Sequence, residues 1–327
     1  HIGHARKLPT SSLRRPSGRA LVPGPSSPSR PRPARRGAPL ARVTAVSRVR
    51  VLLRRRPGRG SRRATGPGPV PGPTAGWACQ APFGNLFLDP LGNVYTCCVA
   101  SGEPLGNIAR QRLPEIWHGA RLAAVRDAMA RHDHSLGCQV CERRLDVGMR
   151  SIAIHYEHLA PDTLVPERPR KLELNLSNAC NLRCLMCNGD YSSAIRVHEG
   201  RAPLPKVYDE QFFEDLEDVL VHVEEVQFTG GEPFLVPEYP RIWDVLATHN
   251  PDVRCYLTTN ATQWNGRVER ALGQLRFNLN VSLDGVSAAT YERVRVGADH
   301  ATVMRNLDRF VAYAREVGTR VELYHCL

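Results

Sequence analysis

The first 76 residues contain no Asp and no Glu against 17 Arg and one Lys, so this stretch carries +18. Subtracting that from the whole-chain +12 leaves −6 for residues 77–327. The high isoelectric point therefore belongs to the leading segment, and a nucleic-acid surface is not expected for the folded part. Long apolar runs are also missing. Within the leading segment only Arg42 to Leu53 has helical or strand-like apolar spacing, and it is too short and too basic to span a membrane. No secretory signal with a proper apolar centre is evident, so disulfides are not expected. Clustered cysteines in such a chain read as metal ligands, and a cytoplasmic location is the expectation.

The leading segment is rich in Pro, Gly and Ser, with Arg54-Arg55-Arg56 and Gly66-Pro67-Gly68-Pro69. It buries too little apolar surface to offset its ordering entropy, and residues 1–76 are expected to be disordered. Three origins fit: a nucleic-acid-binding arm, an Arg-rich and acid-poor transit peptide, or translated GC-rich non-coding sequence. The opening on His1 in place of Met favours the third as the expectation.

What the chain does have is the run Cys180-Asn181-Leu182-Arg183-Cys184-Leu185-Met186-Cys187. CxxxCxxC offers three thiolates to a cluster that takes four ligands, and the iron left over can bind a substrate or cosubstrate. The run follows Lys171-Leu172-Glu173-Leu174-Asn175-Leu176, whose leucines alternate as in a half-buried strand. The cysteines then occupy the loop at that strand's carboxyl end, the reactive end of an α/β barrel. Taken alone, such a triplet also suits zinc.

Further motifs follow in order. Glu225 to Phe228 reads as a strand running into Thr229-Gly230-Gly231-Glu232-Pro233. Arg254 to Asn260 is a strand ending in small polar residues, and Phe277 to Gly285 is another ending in Ser282, Asp284 and Gly285. Singly, each has a plainer reading: a turn for the glycines, a strand end for Thr258-Thr259-Asn260, a buried thiol for Cys255. Together with the cysteines they resemble the radical S-adenosylmethionine (SAM) superfamily. The family commonly has an aromatic residue before the third cysteine; here Met186 stands there, a thioether able to fill the same apolar space.

That resemblance implies a [4Fe-4S] cluster on Cys180, Cys184 and Cys187, with SAM chelated at the open iron. It implies that Gly230, Gly231 and Glu232 hold the methionine end of SAM, Ser282 and Asn260 the ribose, and Arg295, with Arg293 as competitor, the carboxylate. Reductive cleavage of SAM to methionine and a 5′-deoxyadenosyl radical, fed by a donor such as ferredoxin or flavodoxin, is the implied chemistry. No catalytic acid or base is identified.

A second cysteine group precedes the first. Cys79, the turn Gly92 to Cys97, Cys98 and the pair Cys138 and Cys141 surround a helical stretch from Leu113 to Arg131. Its expected buried face comprises Ile116, Trp117, Leu122, Val125 and Met129. Adjacent side chains point opposite ways on an extended chain, so only one of Cys97 and Cys98 should face a metal, and the glycine spacing selects Cys97. The group resembles a twitch domain, the shortened SPASM domain of many peptide-modifying radical SAM enzymes. The resemblance implies one auxiliary [4Fe-4S] cluster on Cys79, Cys97, Cys138 and Cys141; zinc remains the alternative.

The expected fold class is α/β: a partial (β/α)6 TIM-like radical SAM barrel, preceded by a small Cys-rich α+β twitch-like domain and the disordered tail. Boundaries are expected at 77–150 for the twitch-like domain, 151–170 for a linker and 171–327 for the radical SAM core. Strands near 171–176, 225–229, 254–258, 276–282 and 320–325 alternate with helices starting near 191, then near 209–222, 238–248, 266–273 and 298–317. That is five strands where radical SAM cores generally have six, so the expectation is a barrel that stops before closing, in a fragment cut at both ends. The twitch resemblance implies a peptide or protein substrate. A small-molecule or nucleic-acid substrate, or a non-enzymatic iron-sulfur or zinc-stabilised module, are the alternatives.

Overall fold

The computed structural model describes residues 78–149, 151–160 and 166–325. The tail expected over 1–76 lies outside the described residues, which all fall in one compact unit. The chain enters through a short helix α1 (Ala81–Gly84) and a hairpin of β1 (Asn85–Leu88) and β2 (Asn93–Tyr95), to which β3 (Gly106–Asn107) adds antiparallel. The hairpin turn is closed by the Asp89 carboxylate, which accepts from the Leu91 and Asn93 N–H groups, and by Gly92 at φ +79°.

The helical stretch expected at 113–131 is two helices, α2 (Leu113–Trp117) and α3 (Ala120–Ala130), broken at His118-Gly119. All five residues expected on its inner face are buried. Helix α4 (Gln139–Asp146) starts just after Cys138, and a 3₁₀ segment covers Ile152–Leu159.

The second half alternates strand and helix. In chain order come β4 (Lys171–Leu174), β5 (Arg183–Cys184), α5 (Ser193–His198), α6 (Glu210–Leu220), β6 (Glu225–Phe228) and α7 (Tyr239–His249). They are followed by β7 (Arg254–Thr259), α8 (Gly266–Gln274), β8 (Phe277–Ser282), α9 (Ala288–Val294), β9 (Arg295–Val296), α10 (His300–Val317) and β10 (Val321–Tyr324). Helix starts coincide with capping side chains. Asp209, Asn265 and Asp299 accept from N–H groups in the first turns of α6, α8 and α10, and Gly318 ends α10 in the left-handed conformation.

Strands β4, β6, β7, β8 and β10 pair parallel in that order, a mostly parallel sheet of partial TIM-like form. Strand β1 pairs parallel with β4, Asn85 opposite Lys171 and Leu88 opposite Leu174, so the cysteine-bearing hairpin continues the same sheet. Leu172, Leu174, Val226, Phe228, Cys255, Leu257, Leu279 and Val281 point into the helix-covered core, each essentially unexposed. Strand β4 departs from the half-buried expectation. Its charged positions Lys171 and Glu173 are buried too, because the opposite face of the sheet is also covered.

Candidate cofactor and auxiliary cysteine sites

The loop after β4 is held at several points before any ligand is considered. The Ser193 hydroxyl accepts from the Cys180 N–H and donates to the Cys180 carbonyl, both at 3.0 Å, and the Ser192 hydroxyl donates to the Leu182 carbonyl at 2.6 Å. The Gly231 and Glu232 N–H groups donate to the Ser177 and Ala179 carbonyls at 3.1 and 2.8 Å. A Cβ on Gly231 would lie 2.3 Å from the Ala179 oxygen, and one on Gly230, at φ +97°, would lie 2.7 Å from Asn175 Oδ1. The close approach that the two glycines permit is therefore to the cysteine loop itself.

Glu232 is fully buried and its carboxylate is occupied by protein donors. The Thr259 hydroxyl reaches Oε1 at 2.8 Å and the Asn260 N–H reaches Oε2 at 2.7 Å. Burial raises its pKa to about 7, opposed by these hydrogen bonds. Asn260 in turn donates from Nδ2 to Asn181 Oδ1 at 3.2 Å, and the same nitrogen lies 3.9 Å from Cys180 Sγ. The ends of β4, β6 and β7 are thus joined through Asn181, Asn260 and Glu232.

The fourth side is closed by a two-residue antiparallel bridge, β5 with β9, which puts Arg295 opposite Cys184. The Arg295 guanidinium donates to Asp284 Oδ2 at 2.6 Å and reaches 3.9 Å from Cys184 Sγ, whereas Arg293 is exposed. Ser282 ends β8 on the face that carries Asn280, away from the apolar core. The sequence marks Asp284 only as part of the strand end with Ser282 and Gly285, and gives Asn181 no role of its own. An acidic partner for Arg295 eleven positions earlier is a readable signal; nothing local marks Asn181. Met186 and Leu185 stand exposed on the loop, so the thioether fills no interior space.

Burial pushes the Cys180 thiol up to about 11 and raises Cys184 and Cys187, with Arg295 opposing the shift at the latter two. All three cysteines are free of disulfides. Three soft sulfur donors on one braced loop beside a guanidinium fit an iron-sulfur cluster, whose loading must displace the thiol protons.

The second group converges as well. Cys79, Cys97, Cys138 and Cys141 line one small cavity whose walls are otherwise largely apolar, among them Ala81, Pro82, Val99 and Ile152. Cys98 is absent from that lining and faces the concave side of the sheet. Burial pushes Cys79 up to about 12 and Cys138 to about 11, and raises Cys97 well above the usual thiol range. Among the described residues no three His, Cys, Asp or Glu side chains already gather as ligands of a single ion. Zinc would need its sulfurs about 2.3 Å from one point; in a [4Fe-4S] cluster each thiolate binds its own iron. An all-sulfur donor set in apolar surroundings fits such a cluster.

Residues 174–323 match the radical SAM superfamily and residues 79–142 match SPASM, an iron-sulfur cluster-binding domain. The chain therefore carries a radical SAM domain of the class that uses SAM and a [4Fe-4S] cluster. Ahead of it lies a SPASM domain, which implies an auxiliary iron-sulfur cluster, in the order expected from the cysteine groups.

Curated relatives include proteins named GTP 3′,8-cyclase. That of Synechocystis sp. is 30% identical over 141 residues, covering 43% of this chain and 41% of the relative. That of Streptomyces coelicolor is 31% identical over 154 residues, covering 45% and 41%. The chain spans about two fifths of the length of the curated relatives it matches. Among solved structures, native anSMEcpe with bound AdoMet is similar at 20% identity and TM-score 0.35, over 47% of this chain and 43% of that one. Streptococcus suis SuiB bound to the precursor peptide SuiA is similar at 16% identity and TM-score 0.35, over 69% and 50%. No helix among the described residues is long and apolar enough to cross a membrane.

Proposed function

We propose that this protein is a radical SAM enzyme acting on a peptide or protein substrate. The observation that carries the reading is the single braced loop on which Cys180, Cys184 and Cys187 meet the Gly230-Gly231 turn, Asn260 and Arg295. Cys180, Cys184 and Cys187 would hold a [4Fe-4S] cluster, which when bound would supply the electron for reductive cleavage of SAM and so the radical chemistry on the substrate. The protein's part is placement. Backbone at Gly230 and Gly231 faces the methionine end, and Glu232 acts indirectly by fixing Asn260. Arg295 meets the SAM carboxylate while Asp284 fixes its orientation, and Ser282 and Asn260 border the ribose.

Cys79, Cys97, Cys138 and Cys141, which line one cavity, would hold the auxiliary cluster. The exposed Leu185 and Met186 leave one side of the cysteine loop open to a reduced ferredoxin or flavodoxin. The peptide reading follows from the SPASM domain, which accompanies peptide-modifying members of the superfamily. The GTP 3′,8-cyclase relatives favour a second reading, a nucleotide substrate. The test is anaerobic reduction of the reconstituted protein with SAM: 5′-deoxyadenosine is expected, and its absence from a protein containing both clusters would reject the enzyme reading.

A further inference from the structure

Three tyrosines among the described residues are wholly buried, Tyr156, Tyr239 and Tyr291, and two of them place their hydroxyls on protein acceptors. Tyr156 donates to Glu173 at 2.6 Å, and the Tyr239 hydroxyl reaches the Leu174 and Thr229 carbonyls at 2.7 Å. Tyr291, on α9, has a buried hydroxyl with no hydrogen-bond partner. A buried hydroxyl left so lowers stability, and native proteins seldom keep one that no ligand or water completes.

The backbone aims Tyr291 at the cysteine loop. A Cβ on Gly285 would lie 2.8 Å from the Tyr291 nitrogen, so its absence lets α9 pack down beyond the end of β8. The carbonyl of Val294, the last residue of α9, accepts from the Leu185 N–H at 2.9 Å. Arg295 follows Tyr291 by four residues and donates its N–H to the Tyr291 carbonyl, so the two side chains leave the same side of the helix. Of that pair, the guanidinium already lies beside the Cys184 sulfur. Burial pushes the Tyr291 hydroxyl up to about 12, with Arg295 opposing and Cys184, Asp284 and Glu232 adding to the rise, so it stays a donor among these charges.

Two of those neighbours already have donors: Asp284 accepts from Arg295, and Glu232 from Thr259 and Asn260. Cys184 is the acceptor whose strength changes. Its thiol sulfur is a weak acceptor, and metal binding makes it a thiolate. The competing partner is a water shared with His300, whose Nε2 is also buried without a partner and whose ring meets that of Tyr291 at 5.5 Å.

We propose that the Tyr291 hydroxyl donates to the Cys184 sulfur when a [4Fe-4S] cluster is bound on Cys180, Cys184 and Cys187, and so keeps that cluster reducible. The assignment rests on the radical SAM reading for the cluster and on the fold alone for the placement of the hydroxyl. The reduced cluster is the more negative of the two states, so a donor at its sulfur favours it and raises the potential. Arg295 is the other donor beside this sulfur, and it is the one assigned to the SAM carboxylate; Tyr291 is left to serve Cys184 when SAM is bound. Tyr291 is thus a positioning residue that touches neither SAM nor substrate.

The full chain, loaded anaerobically with both clusters, is reduced stepwise at controlled potential and followed by EPR, native beside Tyr291→Phe, with and without SAM. The signal that changes on adding SAM belongs to the cluster on Cys180, Cys184 and Cys187, and the other signal is the internal standard. The variant is expected to shift the SAM-responsive cluster to more negative potential, more so with SAM bound, and to leave the auxiliary cluster where it was. An unchanged SAM-responsive potential overturns the proposal. So does a roughly tenfold loss of SAM affinity at unchanged potential, which gives the hydroxyl to the SAM carboxylate. Thermal unfolding of the cofactor-free proteins is the second measurement. Tyr291→Phe removes one unpartnered oxygen and is expected to keep or raise the midpoint; a lowered midpoint gives the hydroxyl a partner before any cluster binds, such as the water beside His300, and overturns the proposal. Formation of 5′-deoxyadenosine by the native protein tests the enzyme reading separately: its absence rejects that reading and leaves a potential shift, and with it the role of Tyr291, standing.

Discussion

Arg295 faces Cys184 across a two-residue antiparallel bridge, its guanidinium 3.9 Å from the cysteine sulfur and 2.6 Å from the Asp284 carboxylate. The pair with Asp284 is nearly dry, the two side chains being 11% and 2% exposed. Breaking a buried pair by removing one partner costs roughly 3–5 kcal/mol, so Arg295→Met should lower the urea midpoint markedly. The double variant with Asp284→Asn should recover much of that loss. A hydrogen bond from a charged donor is worth about 1.5–3 kcal/mol, so SAM affinity should fall about 10- to 100-fold in both variants. Unchanged SAM affinity in the folded double variant would reduce Arg295 to a brace for Asp284.

A pH dependence follows from Glu232. Its pKa in the folded protein is raised by burial to about 7, above the ordinary carboxyl value that it regains on unfolding. The folded state therefore holds the proton more tightly. The stabilisation is complete below the unfolded value and is lost as pH rises from about 4.5 through about 7. At about 1.4 kcal/mol per pKa unit the whole effect is on the order of 3 kcal/mol. Urea unfolding of the cofactor-free protein at pH 5 and pH 8 should show this loss, and Glu232→Gln should flatten that part of the profile. Parallel profiles for the two proteins would mean that Glu232 does not titrate in this window.

The contrast between what was readable and what was not follows the range of the interactions. Strands β6, β7, β8 and β10 fall within one or two residues of their expected places, because apolar alternation and the small polar residues that end each strand are local. The CxxxCxxC run and the choice of Cys97 over Cys98 for the four-cysteine cavity were likewise local readings. Pairing of β1 with β4 is nonlocal and had no local signal. The alternation in β4 was legible, but its inner face is charged and buried only because the 3₁₀ segment and the neighbouring strands cover it. Helix α9 and the β5 to β9 bridge are too short for periodicity to detect.

Gly231 supplies a steric test of the cysteine loop. A methyl group there would sit 2.3 Å from the Ala179 oxygen, a backbone atom with no side-chain torsion to relieve the contact. Gly231→Ala should displace the loop, lose the iron held by Cys180, Cys184 and Cys187, and retain the auxiliary iron. Gly273, in α8, has open space where a methyl group would sit, and Gly273→Ala should stabilise by up to about 1 kcal/mol through helix propensity. Iron content and thermal unfolding of the two variants check the pair. Normal iron in Gly231→Ala would show that the loop tolerates the shift.

The adjacent cysteines provide the sharpest separation of the two metal readings. Cys97 lines the four-cysteine cavity and Cys98 lines the concave cavity, one residue on and facing the other way. Two [4Fe-4S] clusters bring about eight irons per chain. Cys97→Ser should lower that to about four, whereas Cys98→Ser should leave it near eight, because the serine replaces a thiol that binds no metal. The reverse result would move the ligand to Cys98 and require the 97–98 segment to turn over on cluster binding. About four irons and one zinc in the unaltered protein would assign zinc to the auxiliary site. Iron and zinc analysis of the three proteins, prepared anaerobically side by side, distinguishes these outcomes, because each predicts a different pair of metal counts.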